Sequence, residues 1–117
     1  MKVCYTSEGM QADVGPREIV LFCNVLNEVC NGFAVRSFET TIGPRSQVLT
    51  LFDRLRGLST ERSARIPIAE ADFTILQNAL RESLLELGTE EFYTRTGLDF
   101  GFGKDLLREL EERGLCG

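Results

Sequence analysis

Histidine is absent from this sequence of 117 residues. Without it the chain lacks the usual general base near neutral pH and the commonest nitrogen ligand for metal ions. Nucleophiles of the Ser–His and Cys–His type are thereby excluded, and a zinc site would need thiolates from scattered cysteines that form no C-x-x-C pair. We therefore predict a non-catalytic protein that uses no metal ion and no cofactor.

Long apolar runs are also missing. No run approaches the roughly 18 residues that span a bilayer, and the first residues, "MKVCYTSEGM", carry no apolar stretch of the secretory type. Only three prolines and eleven glycines are present, which argues against low complexity, and 43% hydrophobic residues suit a globular chain. We expect one domain over residues 1–117, located in the cytoplasm and not bound to a membrane.

The four cysteines are dispersed along the chain. Cys23 and Cys30 lie seven residues apart in an apolar segment, so a helix would place them on one face but too far apart to bridge. Cys4 and Cys116 stand near opposite ends of the chain, and the sequence leaves open whether they pair.

Basic charge is scarce relative to acidic charge. The net charge is −5; residues 1–57 carry six acidic and six basic side chains, whereas residues 58–117 carry twelve and seven. Because an acidic protein is repelled by phosphate backbones, we expect no nucleic-acid partner. The most basic stretch, residues 54–65, includes Glu61 and no aromatic residue, and we interpret it as a solvated connection.

The sequence repeats itself at an offset of 54 residues, which aligns "FETTIG" with "FYTRTG". One inserted residue after the glycine then aligns Leu51 with Leu106 and Leu55 with Leu110. The other aligned pairs are Asn24 with Asn78, Leu26 with Leu80, Glu28 with Glu82, Phe38 with Phe92, Thr40 with Thr94 and Gly43 with Gly97. We therefore predict a domain of two pseudo-repeats, about residues 17–57 and 71–113.

Each repeat is predicted to be a helix–strand–helix unit. Apolar residues recur at three- and four-residue steps after Pro16 and again from about Ala69 to Leu87, which predicts two long helices. The segments 36–42 and 91–96 alternate at period two, which predicts strands, each followed by a glycine that can turn with positive φ. A second helix follows in each repeat.

Together these elements predict an α+β fold in which short antiparallel strands pack against a layer of four helices. Antiparallel pairing of 36–42 with 91–96 would join the two repeats and place Glu39 and Arg95 on the outer face of the ribbon. The segments "KVCYT" and "RIPI" are predicted to be extended, the second at a sheet edge because it contains proline.

Gly101 and Gly103 before Lys104 invite comparison with an anion-binding loop at a helix start. The pattern G-x-x-x-x-G-K-[ST] is absent, however, and an ordinary loop over Phe100 and Phe102 is the favoured interpretation.

Two pairs of polar residues occupy equivalent places in the repeats. Glu28 and Glu82 could face each other and bind a divalent cation, although pairing with an arginine of a neighbouring element is the favoured interpretation. Asn24 and Asn78 are unusual inside helices, and we expect each amide to bond the strand or turn of its own unit.

Acidic residues in the second half indicate a surface for a basic protein. The candidate partner-binding residues are Glu86, Glu90, Glu91, Tyr93, Asp105, Glu109 and Glu112. A solvated helix surface is the alternative explanation of such a charge run, whereas docking would use complementary charge to accelerate association.

The sequences "NVLNEVCNGF" and "SFETTIG" resemble small bacterial proteins that carry N-x-L-N-E and then E-F-x-T-R-x-G. The resemblance covers residues 24–43 and, less closely, residues 78–97. Thr41 replaces the arginine that Arg95 supplies, and Arg81 replaces the asparagine at position 27. The resemblance implies a repeated helix–strand unit and brings no assigned activity with it.

These observations favour a non-catalytic acidic protein-binding module, such as an immunity or inhibitory protein that covers a basic partner. One alternative is a homo-oligomeric structural or scaffold protein, for instance a homodimer joined through strand edges or exposed aromatic residues. The other is a small-molecule or anion binder, at the Gly103 helix start or between the repeats.

Overall fold

The computed structural model describes residues 1–112 of the chain. The fold is α+β, with a three-stranded antiparallel sheet and five α-helices in this part of the chain. The elements in chain order are β1 (Lys2–Thr6), β2 (Gly9–Val14), α1 (Pro16–Asn27), a π-helical turn (Glu28–Gly32), α2 (Phe38–Thr41), α3 (Arg45–Arg56), β3 (Ala64–Pro67), α4 (Glu70–Thr96) and α5 (Phe100–Glu112). Cys116 and the predicted end of the last helix at Arg113 lie outside the described residues, as does any pairing of Cys4 with Cys116.

The sheet is built at the start of the chain and completed by the connection between the two predicted repeats. Its strand order is β1-β2-β3, and the register aligns Val3 with Ala12 and Ala12 with Ile66. The prediction that "KVCYT" and "RIPI" are extended is confirmed, and Pro67 lies in an edge strand. Strand β2 was not predicted, and it pairs with both neighbours.

The helices pack their predicted apolar faces into one core. Helix α4 contacts both α1 and α5, and α1 also contacts α3. The buried residues of the predicted faces include Ile19, Phe22, Leu26, Val48, Leu51, Leu55, Phe73, Leu76, Leu80, Leu106 and Leu110. Cys23 and Cys30 are half-buried at the edge of this core, and burial raises the pKa of both thiols.

The predicted strands at 36–42 and 91–96 are wrong, and so is their antiparallel pairing. Residues 38–41 form α2, and residues 91–96 belong to α4, so Glu39 and Arg95 are not cross-strand neighbours. The buried residues of these segments are Phe38 and Ile42, and Phe92 and Thr96. A spacing of four residues fits the helical period, and both segments use it to reach the core.

The order of helical segments nevertheless matches at the 54-residue offset. Helix α4 breaks at Gly88, whose backbone is non-helical with φ of 71°, so residues 89–96 form a short segment like α2. Each short segment ends before a glycine with positive φ, 152° at Gly43 and 77° at Gly97, as predicted. The internal duplication itself stays a prediction.

Two hydrogen bonds cross between the halves of the chain. The side-chain Nδ2 of Asn24 donates to the main-chain oxygen of Thr96 at 2.8 Å, and that of Asn78 donates to the oxygen of Ile42 at 3.1 Å. The prediction that each asparagine bonds its own unit is therefore wrong, because each amide reaches the short helix of the other half.

Candidate functional site

An open groove runs between the end of α4 and the start of α5. Its volume is about 580 Å³. The chain reverses direction here through Gly97, so that both helix ends contribute to the groove. The residues that line it are Thr89, Glu90, Tyr93, Thr94, Asp99, Phe100 and Gly101.

The groove combines negative charge with an exposed aromatic ring. Glu90 and Asp99 contribute two carboxylates, and both residues are exposed to water. Tyr93 is 58% exposed, although large aromatic side chains usually bury most of their surface. Within residues 1–112, no side chain forms an ion pair with either carboxylate. The groove therefore offers uncompensated negative charge beside an apolar surface.

The wall formed by Phe100 is held in place by the core. The ring of Phe100 meets the buried ring of Phe92 edge to face, with centroids 5.8 Å apart. Gly103 permits this close approach of α5 to α4, since a Cβ atom there would lie 2.6 Å from Phe92 Cζ. The aromatic side of the groove is thus fixed before any partner arrives.

The seven predicted partner-binding residues do not form one continuous surface. Glu90 and Tyr93 lie together in the groove, whereas Glu86 and Glu112 are exposed but do not line it. The remaining three have partners within the chain. Glu91 binds Arg95 at 3.1 Å, Asp105 binds Arg108 at 3.2 Å, and Glu109 lies 3.6 Å from the amino group of Met1.

Sequence reasoning missed Asp99, Phe100 and Gly101 as groove residues. They follow the acidic stretch in the sequence, but only the turn at Gly97 brings them opposite Glu90 and Tyr93. The available signal was the glycine after a helical segment, which commonly marks a reversal of the chain.

Glu28 is a structural residue of the core boundary. Its carboxylate accepts a hydrogen bond from Arg95 Nη1 at 2.9 Å, and its side chain is only 10% exposed. The favoured prediction for Glu28, pairing with an arginine of a neighbouring element, is confirmed. Thr41, the counterpart of Arg95, instead donates its hydroxyl to the main chain of Arg36, so the contact is not repeated at Glu82.

The predicted helix start at Gly103 is wrong, and with it the loop over Phe100 and Phe102. Helix α5 begins at Phe100, so Gly103 lies inside the helix and its amide donates to the oxygen of Asp99 at 3.1 Å. Gly103 is also buried against Phe92. The amide that an anion would need is therefore already used.

A second hollow, of about 520 Å³, lies where β3 meets α4. Its charged residues largely satisfy one another. Arg54 forms an ion pair with Asp72 at 3.3 Å and donates to the main-chain oxygen of Pro67. This hollow therefore offers less unpaired charge than the groove at Tyr93.

Residues 1–112 contain no group of three or more His, Cys, Asp or Glu side chains placed to hold a metal ion. No helix in the same range combines the length and the hydrophobicity required to cross a bilayer. Comparisons with protein-family models, with curated protein sequences and with solved structures gave no match.

Proposed function

We propose that this protein is a non-catalytic acidic protein-binding module that docks a basic protein partner at the groove between α4 and α5. An immunity or inhibitory protein is the kind of protein that works in this way. The observation that carries the proposal is the pair of unpaired carboxylates, Glu90 and Asp99, beside the exposed ring of Tyr93.

The chemistry of the groove suits protein recognition. Tyrosine supplies a large contact area with few rotatable bonds, and it is enriched among residues that dominate binding energy. Carboxylates around it attract a basic surface and accelerate the encounter. The net charge of −5 acts in the same direction over longer distances.

A binding role is favoured over catalysis because of the setting of the two carboxylates. Acid–base catalysis by carboxyl groups usually depends on burial or on a close charged partner. Glu90 and Asp99 are exposed, and the groove is open to water. A cytoplasmic location belongs to the same proposal and is checked by fractionation of the native cells.

Affinity capture from the lysate of its own cells tests the proposal. We expect one dominant, stoichiometric, basic partner whose retention falls as salt rises from about 0.05 M to about 0.5 M. The double variant Glu90→Gln/Asp99→Asn should lose this partner. The control Glu8→Gln/Glu61→Gln, which removes the same charge from exposed sites elsewhere, should retain it. Equal loss in both variants, or no stoichiometric partner, would contradict the proposal.

A homo-oligomeric scaffold is the second candidate, because two large apolar side chains outside the groove are well exposed. Leu85 on α4 is 74% exposed and Tyr5 on the edge strand β1 is 61% exposed. Light scattering at high protein concentration distinguishes the two functions. A strict monomer would eliminate the scaffold.

A further inference from the structure

We infer that the groove is an arginine-binding site, in which a guanidinium group of the basic partner lies against Tyr93 and Phe100 and pairs with Glu90 and Asp99. The inference rests on the proposed function and specifies the side chain that the partner contributes. It also predicts that lysine is a poorer substitute.

The lining of the groove matches a guanidinium better than an ammonium. A guanidinium is planar, carries five N–H donors, and stacks on aromatic rings while it pairs with carboxylates. The groove supplies both kinds of partner, two aromatic residues and two carboxylates that no cation occupies within residues 1–112. An ammonium is more strongly hydrated and gains less from a ring and from paired oxygens.

The chain itself places guanidinium groups on phenylalanine rings at three points. Each arginine lies over a ring within the distance of a cation–π contact. The distances from guanidinium carbon to ring centroid are 3.9 Å for Arg45 over Phe38, 4.4 Å for Arg17 over Phe102, and 4.7 Å for Arg56 over Phe52.

The first of these contacts occupies the place equivalent to the groove. At the offsets of 54 and 55 residues, Phe38 corresponds to Phe92 and Arg45 to Phe100. The carboxylate of Glu39 also accepts a hydrogen bond from the main-chain N–H of Arg45, with N–O distances of 3.1 and 3.2 Å. The first half of the chain thus seats its own arginine between a ring and a carboxylate.

The second half lacks that internal arginine. Phe100 stands in its place, and Tyr93 stands in the place of Glu39, which leaves the groove open. The nearest cation whose contact is defined is Lys104, whose ammonium lies 5.9 Å from the centroid of Phe100. That contact shows that the ring of Phe100 is within reach of a cation, and an arginine from a partner would supply the missing guanidinium.

The test is a titration of the full-length ¹⁵N-labelled protein with two capped peptides, tri-arginine and tri-lysine, observed by NMR. We expect tri-arginine to bind roughly fivefold or more tightly than tri-lysine. The largest chemical-shift changes should fall within residues 89–101. Equal affinity for the two peptides, or shift changes spread evenly over the acidic helices, would overturn the inference.

Two exposed side chains of the groove provide the variants. Tyr93→Ala and Glu90→Gln should each weaken tri-arginine binding by roughly fivefold or more. Glu61→Gln, which removes the same charge as Glu90→Gln from another exposed site, should weaken it by less than about twofold. An equal effect of Glu61→Gln and Glu90→Gln would reduce the binding to general charge attraction and overturn the site.

The outcomes for this inference and for the proposed function are distinguishable. If the captured basic protein depends on Glu90 and Asp99 while the two peptides bind equally, the function stands and the preference for arginine fails. If tri-arginine binds in the groove but no basic protein is captured, the arginine site stands and the proposed function fails.

Discussion

Asn24 and Thr96 lie on different halves of the chain and are joined by a hydrogen bond of 2.8 Å from the asparagine amide to the main-chain oxygen. The corresponding bond joins Asn78 to Ile42, each partner displaced by 54 residues in opposite directions. Each amide satisfies a carbonyl at the end of a short helical segment, where no main-chain partner continues the helix. The two bonds therefore hold the halves together by the same contact, made twice.

Removal of either asparagine amide should destabilise the protein to a similar extent. Asn24→Ala and Asn78→Ala each leave a part-buried carbonyl without its donor, and we expect a loss of about 1–2 kcal/mol in the free energy of unfolding. Asn27→Ala removes only an exposed side-chain bond to Asn31 on the same face and should change it by less than about 0.5 kcal/mol. Urea unfolding of the three variants checks this; a cost confined to one asparagine would argue against equivalent roles.

The two glycines at the start of α5 should respond to alanine in opposite directions. In Gly103→Ala the new methyl group meets the buried ring of Phe92, and we expect a loss of about 1–3 kcal/mol. At Gly101 a Cβ atom meets nothing within 4 Å, so Gly101→Ala should gain up to about 1 kcal/mol through helix propensity. Thermal unfolding of both variants provides the measurement, and destabilisation by both would show that the helix start, not the contact with Phe92, sets the response.

Gly32, Glu28 and Arg95 should act as one unit. A Cβ atom on Gly32 would lie 2.4 Å from Glu28 Oε1, so Gly32→Ala must displace the carboxylate that binds Arg95. We expect Gly32→Ala and Arg95→Ala each to lower the melting temperature, and the double variant to lose less than the sum of the two. Gly57→Ala, with no contact closer than 3.5 Å, is the control. Strict additivity would show that the glycine acts independently of the ion pair.

The ion pair between Asp13 and Arg65 predicts a pH-dependent contribution to stability. Both Asp13 oxygens accept hydrogen bonds from the guanidinium, at 2.7 and 2.9 Å, and this contact lowers the pKa of Asp13. A lowered pKa in the folded state means that the stabilisation is present above the unfolded pKa of about 4 and is lost as pH falls through the folded value.

Asp13→Asn should therefore be less stable than the parent protein at pH 7, and the difference should vanish in acid. Denaturant unfolding at about pH 7, 5 and 3 measures this difference directly. The effect is small because both side chains are partly exposed and screened by solvent. A difference that is constant over the whole pH range would assign the effect to strand pairing instead of charge.

The long helices were predictable because their apolar residues repeat at helical spacing over many turns. Phe73, Leu76 and Leu80 are buried where this pattern places them. Pro67 likewise marked an edge strand. The hairpin of β1 and β2 also had a signal, since Met10, Ala12 and Val14 alternate after a turn that ends at Gly9.

The short helices were not predictable from their alternation alone. In "FETTIG" the residues Phe38, Thr40 and Ile42 alternate as in a strand, but only the first and the last of them are buried. Segments this short fit both periods, and tertiary packing decides between them.

The groove was only half visible in the sequence for a related reason. Its two sides come from the end of one helix and the start of the next, and the acidic stretch identified Glu90 and Tyr93 on one side only. The other side depends on where α5 begins. Its start at Phe100 instead of Gly103 brings Asp99 and Phe100 to the site and removes the anion-binding loop.

Photo-crosslinking from the two tyrosines inside the native cells tests most directly whether the groove is the docking site. Tyr93→p-benzoylphenylalanine and Tyr5→p-benzoylphenylalanine place the same probe at positions of similar exposure, 58% and 61%. We predict that position 93 forms one adduct with a basic protein, that Glu90→Gln weakens it, and that position 5 does not form it. The same adduct from both positions, or none from position 93, would contradict the account.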